Sequence, residues 1–216
     1  MIKAVIFDMD GLMFDTENMS KKLWKKLGKK HRYNFEDSFF DRVIGLDLSA
    51  TIKVFEDVFG SDFPYEELKK DKNKMMIKEI KDSGIPIKKG LKEAIKFLKE
   101  NDILIAVASS SKRSAVNFYL ESAELKDKFD FIIGGDEVKC SKPSPEIFLK
   151  CYEILNVKKE QILILEDSIN GIKAANKAEI KVVLIPDLVK VPCEIEKLTF
   201  AKLTDLTEVP KLIKKF

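Results

Sequence analysis

The sequence predicts an α/β fold: a doubly wound parallel sheet with an all-helical unit inserted after its first strand. Three observations lead there. Apolar, β-rich runs alternate with helical stretches through the second half of the chain, the pattern of βαβ units. One such run, "AVIF", stands alone near the start. Between it and the alternation, from about Glu17 to Lys81, strand signals are absent.

Residues 3–7 read as a buried strand. Next, "MSKKLWKKLGKKHR" sets Leu23, Trp24 and Leu27 on one helical face and lysines on the other. "LSATIKVFEDVF" and "YEELKKDKNKMMIKEI" read as further amphipathic helices, with Pro64 near the first turn of the latter. After "DSGIP" the period changes. Helix "GLKEAIKFLKEN" precedes strand "ILIAVAS", and helix "KRSAVNFYLESA" precedes strand "FDFIIGG". Helix "SPEIFLKCYEIL" precedes strand "QILILED", and helix "INGIKAANKA" precedes strand "KVVLI". The tail "LTDLTEVPKLIKKF" holds a short closing helix. The division expected is a core of residues 1–15 and 84–216 with a helical cap of residues 16–83, hung on linkers near Asp15–Glu17 and Ser83–Pro86.

Composition narrows the function. Lys and Arg number 39 against 36 Asp and Glu, a net charge of +3, too balanced for a nucleic-acid partner. The lysines of the first cap helix, Lys21, Lys22, Lys25, Lys26, Lys29 and Lys30, read as a solvated face, because acids follow at once in "FEDSFFDR". Three cysteines without motif spacing argue against a disulfide framework and a zinc site. A single histidine, His31, leaves little room for imidazole chemistry. No run has membrane-spanning length and no leader is visible, so the expectation is a cytoplasmic monomer with no membrane partner.

The chemistry concentrates at strand ends. In open α/β sheets, ligands bind outside the carboxyl ends of the strands. The first strand ends in "FDMDGLMFDTE", with Asp8 and Asp10. The second ends in "ASSSKR", Ser109 to Ser111; the third is followed by "KCSKPSPEIF" with Lys142; the fourth ends in "LEDS" with Glu166 and Asp167. Carboxylates crowded at a strand end repel, and a divalent cation relieves that. Asp8, Asp167 and Glu166 supply the hard oxygens that Mg2+ favours. Ser109, Ser110 and the amides at that strand-to-helix turn suit a phosphate, with Lys142 as its counter-charge. Asp8 suits a nucleophile that forms an aspartyl-phosphate, and Asp10 a general acid and base. Gly11 fits the tight turn between them and the cap.

These motifs, in this order, resemble the four motifs of the haloacid dehalogenase superfamily. "SKPSPEIF" and "EDSINGIKAA" are similar to the wording of its β-phosphoglucomutase-like subgroup. The resemblance implies a Rossmann-like core, a helical cap, phosphoryl transfer and Mg2+, the metal held by the Asp8 carboxylate, the Asp10 carbonyl and Asp167. Asp10 argues against dehalogenation, since dehalogenases lack that acid. The mutases carry a cap histidine where Ser20 stands, and cations flanking a cap-loop glycine where Ile44, Gly45 and Leu48 stand. The reading is therefore a Mg2+-dependent phosphatase of small phosphorylated metabolites, sugar phosphates foremost. The cap loop Gly45–Ser49, including Asp47, is the expected specificity element, with Thr16, Ser20 and Lys72 as further cap candidates. Two alternatives stand beside it: a sugar-phosphate mutase, and a phospho-accepting signalling module. The long insert and the D-x-D spacing argue against the second.

Overall fold

The computed structural model describes residues 1–44, 46 and 48–216. Six parallel strands form one sheet: β1 (Ala4–Phe7), β2 (Leu104–Ala108), β3 (Phe131–Ile133), β4 (Ile162–Glu166), β5 (Lys181–Leu184) and β6 (Ala201–Lys202). Their order is β3-β2-β1-β4-β5-β6. The chain works outward from β1 to β3, then returns to build the other half, so strand order reverses between β1 and β4. Register is fixed across this switch: Phe7 lies opposite Val107 on one side and Leu165 on the other. All four residues of β1 and all five of β4 are buried, as strands covered on both faces require.

Six helices belong with the sheet: α5 (Leu91–Glu100), α6 (Arg113–Ser122), α7 (Glu146–Leu155), α8 (Ile169–Lys177), α9 (Cys193–Glu196) and α10 (Val209–Ile213). Phe148 and Cys151 of α7 and Ile172 and Ala175 of α8 join Ile6, Ala106 and Ile164 in one apolar cluster. The two-residue strand β6 was not expected from the sequence. A strand that short has no period to detect.

The chain divides into two compact units, Met1–Asp15 with Pro86–Phe216, and Thr16–Ile85. The second unit holds α1 (Thr16–His31), α2 (Asp37–Val43), α3 (Leu48–Phe59) and α4 (Tyr65–Ser83). Its core is aromatic: Trp24, Phe35, Phe39, Phe40, Phe55, Phe63 and Tyr65 with Leu68. Phe39 and Phe55 meet edge to face at 4.8 Å between ring centres, a favoured geometry. Helix α2 is the element the sequence reading did not separate, seven residues giving less than two full turns of pattern. Asp37, at its start, ion-pairs with Lys21 and with Lys25, the latter at 2.9 Å, so part of the lysine face of α1 is neutralised within its own unit.

Candidate active site

Asp8 is the first residue past β1 and is 7% exposed. Lys142, from the loop before α7, donates to Asp8 Oδ1 at 2.5 Å, to Glu166 Oε1 at 2.7 Å and to the Ala108 carbonyl at 3.1 Å. Its three protons therefore reach the ends of β1, β4 and β2. The ammonium also lies 4.8 Å from the ring centre of Phe148, a cation–π distance. The loop that carries it is closed by Glu146, whose two oxygens accept from the amides of Lys139 and Cys140.

Glu166 is fully buried and fully engaged. Its Oε2 accepts from the amides of Asp167 and Ser168 and from the Ser168 hydroxyl, each at 2.9 Å. The Ser168 hydroxyl in turn accepts from Gly171 N and so caps α8. Gly171 is a steric necessity here: a Cβ would lie 1.6 Å from Glu166 Oε1. Glu166 thus stands as the holder of Lys142, where the sequence suggested a metal oxygen.

The turn after β2 serves Asp10. Ser111 donates to Asp10 Oδ2 at 2.8 Å, and Ser109 reaches the same oxygen at 3.4 Å. Ser109 is buried, and its hydroxyl also accepts from Ser111 N at 3.0 Å. Ser110, named from sequence as an anion contact, is exposed. Gly11 takes φ +85°, a left-handed value open chiefly to glycine. A Cβ there would sit 2.3 Å from Asp167 Oδ2.

The electrostatics call for a cation. Burial pushes Asp8 up to about 7, with Glu166 and Asp10 adding to the rise and Lys142 opposing it. Asp167 is held well above the usual carboxylate range, first by burial, then by the charges of Glu166, Asp8 and Asp187. Burial alone would lower the Lys142 ammonium; Asp8 and Glu166 outweigh it and hold it above its ordinary value. One fixed cation thus faces two buried acids, Asp8 and Glu166, with half-buried Asp167 beside them. Asp167 Oδ1 is buried with no hydrogen-bond partner. Among the described residues no three acids, thiols or imidazoles gather into a metal cage. Two carboxylates, Asp8 and Asp167, with water for the rest, is the donor set that Mg2+ accepts, so the residues fit that ion.

The other candidates lie in the helical unit. Thr16, the first residue of α1, is buried. Lys72 donates to the Ser20 hydroxyl at 3.3 Å. Ser20 also lines a cavity of about 200 Å3 with Glu17, Lys21, Trp24, Thr51 and Tyr65. Gly45 and Asp47 lie outside the described residues.

Sequence reasoning assigned no role to Ser111 or Asp187. Three serines in a row do not say which one turns toward Asp10. Asp187 carried a usable signal: it follows β5 at the same sheet edge as the other acids.

The model of the haloacid dehalogenase-like hydrolase family matches residues 5–185. The chain belongs to that family. Among relatives of this hydrolase, a phosphorylated carbohydrates phosphatase of Thermotoga maritima is 29% identical over 184 residues, 83% of each chain. Hexitol phosphatase B of Escherichia coli is 26% identical over 191 residues, 86% of this chain and 84% of its own. A solved β-phosphoglucomutase from Clostridium difficile superposes with a TM-score of 0.78 at 28% identity, covering 100% of this chain and 96% of that one. Membership in a hydrolase family, with relatives that are phosphatases, favours an enzyme over the phospho-accepting signalling module.

Proposed function

We propose that this hydrolase is a Mg2+-dependent phosphatase of small phosphorylated metabolites, with sugar phosphates as the first class to try. The observation that carries the reading is the three-way grip of Lys142 on Asp8, Glu166 and the Ala108 carbonyl. It fixes one oxygen of the Asp8 carboxylate beside a permanent cation. The other oxygen of Asp8 attacks phosphorus, the P–O bond to the leaving group breaks, and an aspartyl-phosphate forms. Asp10, steadied by Ser111 and Ser109, gives its proton to the departing oxygen. It then takes a proton from water, which attacks the aspartyl-phosphate and restores the Asp8 carboxylate as phosphate leaves. Lys142 and the Ser109–Ser111 turn neutralise charge on the transferring group. Mg2+, held by Asp8, the Asp10 carbonyl and Asp167, would supply further charge neutralisation. Glu166 positions Lys142. Substrate choice falls to the helical unit, with Thr16, Ser20, Lys72 and the Gly45–Ser49 loop as its candidates. The named phosphatase relatives support this class of substrate.

One observation favours a mutase as second reading. Lys72 sets an ammonium beside Ser20, the position of the mutase cap histidine, and a β-phosphoglucomutase is among the related structures. The test is phosphate release from a panel of sugar and polyol phosphates, with Mg2+ and with chelator, for wild type and Asp8→Asn. Turnover that needs both Mg2+ and Asp8 supports the phosphatase. Isomerised hexose phosphate without phosphate release supports the mutase. Phosphate release that survives Asp8→Asn rejects the mechanism.

A further inference from the structure

A carboxylate outside the expected set reaches the same sheet edge. Asp187 stands three residues past β5, and its side chain is 8% exposed. Its Oδ1 accepts from Lys88 Nζ at 2.5 Å, and that ammonium also lies 3.2 Å from Asp15 Oδ1. Its Oδ2 is buried with no hydrogen-bond partner. A buried carboxylate oxygen without a donor is costly, and where it points shows what it lacks. A Cβ on Gly11 would lie 3.1 Å from this oxygen and 2.3 Å from Asp167 Oδ2. The two carboxylates therefore flank the space that the missing Gly11 side chain leaves open. Asp167 brings an orphan oxygen of its own, Oδ1. Burial holds both acids above their usual range, and Asp187 adds to the rise at Asp167. Lys88 is already committed to Asp187 and Asp15, and Lys142 to Asp8 and Glu166.

We propose that Asp187 is a positioning residue of the divalent-cation site: with its Oδ1 already taken up by Lys88, its Oδ2 would accept hydrogen bonds from the cation's waters. This rests on the Mg2+ reading above. Outer acceptors of this kind orient what a metal binds and raise its affinity. Asp187 also links the cation site to Lys88 and Asp15, the residues that flank the two linkers.

The test is calorimetric titration of the metal-stripped full chain with Mg2+, for wild type, Asp187→Asn, Lys88→Met and Asp167→Asn. Expected is binding by wild type, affinity weakened roughly 10-fold in Asp187→Asn, and no weakening in Lys88→Met. Equal weakening in Asp187→Asn and Lys88→Met would mean that Asp187 only anchors the linker, and would overturn the proposal. So would unchanged affinity in Asp187→Asn alongside loss in Asp167→Asn, a result that leaves the phosphatase reading standing. No Mg2+ binding by wild type would overturn both. Far-UV circular dichroism checks each fold, and Asp187→Ser replaces Asp187→Asn in the same titration if the latter does not fold.

Discussion

A single ammonium, Lys142, sits between two buried carboxylates, and much of the site's chemistry follows from that ratio. Removing the proposed nucleophile is the sharpest test. Asp8→Asn should lower turnover by at least about 1,000-fold, as loss of a covalent nucleophile does elsewhere, while its melting curve keeps a single wild-type-like shape. Gly171→Ala tests the support beneath. Glycine to alanine inside a helix ordinarily gains about 1 kcal/mol. Here the added methyl meets Glu166 Oε1, so the sign should reverse, with a loss of about 1–3 kcal/mol in urea unfolding. Cys151 offers a chemical check. It is fully buried, and burial pushes its thiol up to about 12, whereas Cys140 and Cys193 are exposed. A thiol reagent at neutral pH should modify Cys140 and Cys193 rapidly and reach Cys151 only on unfolding. At this scale the residues legible in the sequence were those with a strand to announce them. Asp8, Ser109, Glu166 and Asp167 each end or follow an apolar run, and the structure brings them to one edge. Lys142 was legible from its loop wording. The engagement of Glu166 was not, because it depends on where the Ser168 hydroxyl and two amides point after the chain has turned.

Among the elements, the long alternation of helix and strand gave the sheet away, since each unit spans enough residues for its period to show. The tail did not. It adds β6, a short 3-10 turn and α10, and is pinned to the start of α5 by polar contacts rather than by a pattern. Asp205 is the pin: it accepts from Thr207 N at 2.9 Å and from Lys89 Nζ at 2.7 Å. Those bonds, Lys89 first, hold its carboxyl down at about 2. A depressed acid contributes stability in full above its unfolded value, near 4, and loses it as pH falls toward the folded value. Wild type should therefore melt above Asp205→Asn at pH 6, and the gap should close as pH approaches 2. A gap that persists at low pH would show that charge is not the reason.

Over the whole molecule, the fold class was readable because few architectures place an all-helical block inside an α/β alternation. The aromatic content of that block was readable too, but its packing was not, since ring contacts join α1, α2 and α3 across turns with no sequence signal. Trp24, the chain's single tryptophan, lies in that packing, 5.0 Å from Phe55 and 5.9 Å from Tyr65. Its emission reports on the helical unit alone. Phe55 is 1% exposed, so Phe55→Ala should cost about 3–5 kcal/mol and move the tryptophan unfolding transition to lower denaturant.

The chain leaves the sheet unit and re-enters it at nearly one point. Asp15 N donates to the Pro86 carbonyl at 2.9 Å, Lys88 N to the Met13 carbonyl at 2.9 Å, and Phe14 bridges Ile87. Everything between is a cassette clipped into a closed ladder. The strands on either side keep their register whatever the cassette contains, because no strand of the sheet lies among its described residues. A helical unit of another sequence can therefore be joined at the same rung without disturbing the sheet's register, and a protein engineer can cut and rejoin there.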